Sequence, residues 1–203
     1  MGRPSKAVER KAELLAVARR TVVERGLLNL RIRDVADGAG VTPGSVLYYF
    51  PSLAELLQEV QRDAVERFCT ARERAAAGGT APGRRLVAMI RSGLPAGPGD
   101  ELCVLLYELG TIARRDPAYA ARHIALFERQ VGSYAAILEA GAATGEFTLT
   151  DDATTIARNL VALEDGYGLH ITHAVPTLTR TAAEELMLAF ARTATGSALA
   201  EQS

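Results

Sequence analysis

A helix stop and a helix start stand almost side by side at Ala39-Gly40-Val41-Thr42-Pro43, and this pair constrains the fold more than any other short stretch. Gly40 can take the left-handed conformation that ends a helix without a Cβ penalty. Thr42 is a good N-cap, and Pro43 in the first turn gives up no helical hydrogen bond. Upstream, Ile32, Val35, Ala36 and Ala39 recur at helical spacing and predict a short helix over 32–39. Downstream, Thr42, Ser45, Tyr48 and Tyr49 place hydroxyls and phenols on a second short helix. Val46 and Phe50 are expected to point the other way, into a small three-helix core with Leu15, Ile32 and Val35. Two short helices joined by a tight glycine-containing turn form a helix-turn-helix, whose second helix enters the DNA major groove. The competing reading is a helical hairpin whose tyrosines pack under the preceding helix.

The remainder of the chain also repeats at the helical period, and the fold class read from it is all-α with about nine helices. Helix one is expected over 7–25, with Leu14, Leu15, Ala18, Val22 and Val23 on one face and Gly26 at its end. Ser52 and Glu55 form a capping box for helix four, which runs through Leu56, Leu57, Val60, Ala64 and Phe68 to about residue 74. Helices five to nine are expected over 84–92, 100–115, 117–143, 151–174 and 179–195. Residues 77–83 and 93–99 read as Gly/Pro loops, the second a mobile one able to gate a pocket. Only 146–149 alternates as a strand would, and it is too short to matter.

Composition narrows the class. At 203 residues and 48% hydrophobic the chain can bury a core. It has no apolar run of membrane-spanning length. Its basic start lacks the apolar stretch of a signal peptide, so a cytoplasmic protein without membrane association is expected. Cys69 and Cys103 lie far apart with no CxxC, which reads as two reduced, buried thiols. Residues 1–50 carry nine Lys and Arg against five acids (+4), and the rest fourteen Arg against nineteen acids (−5). A basic head on an acidic body suits a protein whose head meets phosphates.

The run Arg33-Asp34-Val35-Ala36, then Ala39-Gly40-Val41-Thr42, Gly44-Ser45, Tyr48-Tyr49-Phe50-Pro51-Ser52, with Gly26 before and Leu56 after, resembles the TetR family of transcriptional regulators. The likeness is closest over residues 14–57. Farther on, Gly145-Glu146-Phe147 and Leu163-Glu164-Asp165-Gly166-Tyr167-Gly168-Leu169 loosely resemble the choline-responsive branch. The chain departs from the pattern at Leu47 and Leu53, where the family commonly has a tyrosine and a lysine that touch phosphates, and at Arg31, where it commonly has Thr or Ser. Arg31 loses a cap but could itself reach a phosphate.

The resemblance implies a helix-turn-helix DNA-binding domain at 1–50 and a ligand-binding and dimerisation domain at 51–203. It implies a ligand-responsive regulator, a repressor by family habit, that binds a palindromic double-stranded operator as a homodimer and is released by a small molecule. Arg31, Arg33, Thr42, Pro43, Gly44, Ser45, Tyr48 and Tyr49 are the expected DNA contacts, with Arg3 on a flexible arm reaching the minor groove. Gly44 matters because a side chain there would hold the backbone off the duplex. Paired recognition helices should lie one duplex turn apart, roughly 34–36 Å. Apolar stripes of Ile156, Leu160, Leu163, Tyr167, Ile171, Leu186, Met187 and Phe190, with Gly166 permitting close approach, are the expected dimer interface. Polar residues among apolar neighbours are the pocket candidates: Tyr107, Glu108, Glu128, Asn159, Glu164, Asp165, Tyr167 and His170. A carboxylate in an apolar cavity favours a cationic effector, and an apolar one is the other expectation. Helix four, continuing from the head, would act as the lever.

Two rivals stand beside this reading. One is a DNA-binding regulator without a small-molecule ligand, controlled by a protein partner. The other, more remote, is a small helical metalloenzyme, because His170 and His173 stand at i, i+3. No third ligand motif, HExxH or activated nucleophile accompanies them, and His123 stands alone, so neither enzyme activity, metal nor cofactor is expected.

Overall fold

The computed structural model describes residues 6–78 and 81–199. Among these it forms nine α-helices and no strand. They are α1 (Lys6–Arg25), α2 (Ile32–Gly38), α3 (Pro43–Tyr49), α4 (Leu53–Ala77), α5 (Pro82–Gly93), α6 (Glu101–Gly110), α7 (Pro117–Ala143), α8 (Ala153–Thr172) and α9 (Arg180–Thr195). A 3₁₀ turn, Thr111–Arg114, closes α6, where the sequence had suggested one helix to residue 115. The chain divides into two compact units. The first comprises the residues up to Val65 with Val104–His123, and the second Glu66–Cys103 with the residues from Ile124 on.

In the first unit α2 packs on both α1 and α3. Leu14, Ala18 and Val22 form the buried stripe of α1, and Val35, Ala36, Val46, Phe50, Leu56 and Val60 complete the core. Leu15 and Ile32, expected inside, are only half buried. Each helical residue turns about 100°, so positions 14, 18 and 22 share one face and position 15 falls at its edge. Arg19 reaches Asp63 at 2.6 Å and ties α1 to α4, ten residues past its start.

The α2–α3 turn forms as its residues demand. Gly40 has φ +62°, Gly40 N–H donates to Asp37 O at 3.2 Å, and Val41 N–H donates to Ala36 O at 3.0 Å. These two bonds satisfy carbonyls that the end of a helix otherwise leaves unpaired. Thr42 is extended (φ −80°, ψ 152°) and its Oγ1 accepts from Ser45 N–H at 3.2 Å. At the start of α2, Asp34 Oδ2 accepts from Arg31 N–H at 2.8 Å, so the cap that Arg31 cannot supply is half replaced from within the helix.

The second unit buries one apolar cluster from α5, α7, α8 and α9, with Leu86, Ile90, Tyr134, Leu138, Leu160 and Met187 at its centre. Residues 146–150 lie outside the helices and bond to the end of α9. There Thr148 N–H donates to Thr195 O at 2.7 Å and Thr150 N–H to Ala194 O at 3.0 Å. Phe147 lies over Gly141, where any Cβ would collide with its ring. Glu146 Oε1 accepts from Gly83 N–H at 2.8 Å and caps α5, which has no side-chain cap of its own. The 93–99 loop, expected to be mobile, is fastened by Asp100. Its carboxylate accepts from Ala96 N–H at 2.9 Å on one side and from the Leu102 and Cys103 N–H groups on the other. Asp100 is thus the cap of α6 rather than its first residue. Both cysteines are buried and unbridged.

Candidate functional site

The exposed face of α3 gathers the polar groups that the sequence placed there. Thr42 and Ser45 are exposed and their hydroxyls lie 2.9 Å apart. Tyr48 is 82% exposed and Tyr49 half exposed, their rings edge to face at 5.0 Å. The reading that hides Tyr48 beneath α1 is therefore incorrect. Its phenol stands in solvent because Val46 and Phe50 take the inward positions of this two-turn helix. A Cβ on Gly44 would meet nothing in the protein closer than Thr42 Oγ1 at 3.9 Å, so internal packing does not require glycine there. Pro43, Arg31 and Arg33 are exposed on the same unit. Arg3 lies outside the described residues. An open concavity is lined by Arg10, Thr42, Gly44, Ser45, Tyr48 and Tyr49. Arg10 was missed from the sequence, although it is one of the basic residues of the head. It also pairs with Glu13 at 2.7 Å.

A second constellation lies inside the other unit. Arg72 of α4 is 1% exposed and Glu164 of α8 is 2% exposed. Arg72 Nη2 donates to Glu164 Oε2 at 2.7 Å, and Nη1 donates to Glu164 Oε1 and, at 2.6 Å, to Gln130 Oε1. Tyr134 O–H donates to Glu164 Oε2 at 2.7 Å. Burial alone would lower the Arg72 pKa. The charge of Glu164, the Tyr134 phenol and the hydrogen bonds outweigh it and hold the guanidinium protonated. Burial pushes the Tyr134 phenol well above its ordinary range, and the Glu164 charge adds to this, so it acts as a neutral donor. Gly93 makes the arrangement possible, because a Cβ there would land on the Glu164 carboxylate.

Comparison with known proteins matches two family profiles. Residues 14–60 match "Bacterial regulatory proteins, tetR family", and residues 82–196 match "BetI-type transcriptional repressor, C-terminal". The chain belongs to the TetR family of transcriptional regulators. Over 63 residues it is 38% identical to the HTH-type transcriptional repressor KstR2 of Mycolicibacterium smegmatis, a match covering 31% of each chain. It thus spans under a third of the length of the curated relatives it matches. Among solved structures, a transcriptional regulator from Saccharomonospora viridis in complex with choline superposes with a TM-score of 0.84 at 23% identity. That match covers 90% of this chain and 95% of the other. A TetR transcription regulator from Haloarcula marismortui superposes with a TM-score of 0.83 at 23% identity, over 93% and 99% of the two chains. The TetR-like all-α fold is therefore common to all three.

Within this TetR-family fold the other candidate residues scatter. Of the pocket candidates only Glu164 is buried. Tyr107 and Glu108, both half-buried, belong to the first unit, while Glu128, Asn159, Asp165 and His170 are exposed on the second and Tyr167 is half buried there. The buried carboxylate expected to await a cation already holds Arg72. The residues that surround it, Arg72, Gln130 and Tyr134, were missed. Arg72 alone left a trace in the sequence, since Val60, Ala64, Phe68 and Arg72 recur every fourth residue along α4 and place a charge on an apolar stripe, but nothing there names its partners. Four of the expected interface residues also need correction. Ile156, Leu160, Ile171 and Met187 are sealed in the protomer's own core and have no surface to offer a partner. Leu186 and Gly166 remain exposed, and Leu163, Tyr167 and Phe190 are half buried. His170 and His173 are both exposed, and among the described residues no group of three or more His, Cys, Asp or Glu lies together. No helix among them is long and apolar enough to cross a membrane.

Proposed function

We propose that this chain is a dimeric, effector-controlled repressor in the cytoplasm that reads a palindromic operator through α3. Residues 1–50 serve as its DNA-binding domain and 51–203 bind the effector and the second protomer. The observation that carries the reading is the outward face of α3. It presents two hydroxyls and two phenols to solvent, beside a glycine that the protein's own packing does not need. Hydroxyls and phenols suit phosphate oxygens and base edges, and the absent side chain lets backbone approach a groove. Arg31 and Arg33 add charge that phosphates attract. A single reading helix contacts too little DNA for a selective site, so two protomers are needed, joined through the exposed parts of α8 and α9. An effector held in the second unit would favour a conformer whose reading helices are mis-spaced.

The test is fluorescence anisotropy with duplexes tiled across the DNA flanking the gene. The expected result is one tightly bound duplex carrying an inverted repeat, with affinity falling steeply as salt rises. Equal affinity for every duplex would overturn the reading.

A further inference from the structure

The Arg72 guanidinium is surrounded as a bound organic cation would be. A carboxylate, Glu164, engages its edge through two parallel hydrogen bonds. The centroid of the Phe68 ring lies 5.0 Å from its central carbon and that of Tyr134 5.4 Å. Aromatic faces and a carboxylate are the groups that recognise guanidinium and quaternary ammonium ions. The cage is built rather than incidental. Tyr134 fixes the carboxylate from behind, Gln130 fixes the guanidinium, and Gly93 leaves the room the carboxylate needs. The adjoining cleft, bordered by Cys69, Met89 and Ser133, has no room for even a water molecule, so the cage holds nothing besides Arg72.

We propose that Arg72 is a tethered internal cation that fills this cage and so bars free organic cations from Glu164. On this view Arg72 decides which charge class of effector the unit accepts. A free organic cation gains access to Glu164 only when Arg72 is removed. A tethered group competes at a high effective concentration, and Arg72 would have to leave a site where its charge is fully paired. Arg72 Nε has no partner, so the polar atom still to be satisfied is a donor. That favours an acceptor-bearing effector over a second cation.

The inference rests on the effector-controlled reading, which the operator titration tests separately on the wild-type chain. Its own test is thermal unfolding of the full chain in millimolar methylguanidinium or choline chloride, against sodium chloride at equal ionic strength. The wild-type melting point should be the same in all three salts. Arg72→Ala should melt lower in sodium chloride and recover several degrees in methylguanidinium, as a ligand bound only by the folded state requires. Arg72→Ala/Glu164→Leu should show no such recovery. If Arg72→Ala does not fold alone, the same comparison is made on its refolding yield, which methylguanidinium should raise. A wild-type stabilisation by either cation that Glu164→Gln removes would overturn the proposal. So would an Arg72→Ala variant indifferent to methylguanidinium in both assays, or an equal response in the double variant.

Discussion

Arg72 and Glu164 lie 92 residues apart in sequence and meet side by side in the core of the second unit, with Nη2 2.7 Å from Oε2. Each charge loses its water, and each recovers contacts from a rigid partner. Such a pair is close to neutral against a well-packed apolar pair, but removing one member strands the other. Arg72→Met or Glu164→Leu should each lower stability by about 3–5 kcal/mol. The double variant Arg72→Met/Glu164→Leu should lose far less than the sum. Urea unfolding of the four proteins measures this, and additive losses would show that the two groups act independently.

Gly93→Ala should act on the same pair without touching either charge. A Cβ at that position lands on the Glu164 carboxylate. Displacing a buried, fully engaged group costs about 1–3 kcal/mol, the range for overpacking. A midpoint equal to wild type in urea would mean that α8 yields freely there.

On α3, stability and DNA affinity should separate. Tyr48→Ala removes a side chain that stands in solvent, so unfolding should change by no more than about 0.5 kcal/mol. Operator affinity should fall by on the order of 1–3 kcal/mol if the phenol meets DNA. Gly44→Ala should leave the fold intact, or slightly firmer, and weaken operator binding by holding the backbone off the groove. Anisotropy titration against the cognate duplex reads both.

Leu186 is 46% exposed and Leu169 39% exposed on α9 and α8 of the lone protomer. If α8 and α9 join two protomers as proposed, wild type should sediment as a dimer and Leu186→Glu as a folded monomer. Its operator affinity should drop with it. A dimeric Leu186→Glu would move the interface elsewhere.

Arg129 of α7 bonds Glu73 at 2.7 Å and Glu66 at 2.8 Å on α4. Its hydrogen bonds hold both carboxyls below the ordinary 4.5. A carboxyl with a lowered folded pKa binds fewer protons folded than unfolded near that pH. Its contribution is therefore present above the ordinary value and is lost as pH falls through the lowered one. Arg129→Met should flatten the acid limb of a stability–pH profile below about pH 5 and leave its alkaline limb unchanged.

Much of this was legible in the linear chain because it depends on neighbours in sequence. Gly40 and Thr42 fix the turn through bonds spanning three to five residues, and Pro117 with the helical period that follows it places α7 at Pro117–Ala143. The identity of α3's outward groups follows from the same local geometry, since a two-turn helix with Val46 and Phe50 inside must turn Tyr48 out. The cage was not legible. Nothing near Glu164 in sequence announces Arg72, which lies on another helix, and nothing near Gly93 announces the carboxylate it makes room for. The four sealed interface residues failed for a related reason. An apolar stripe records that a face is buried and not whether its own chain or a second copy covers it. Local hydrogen bonding and helical period were therefore written in the sequence, while the pairing of distant charges and the assignment of apolar faces required the packed helices.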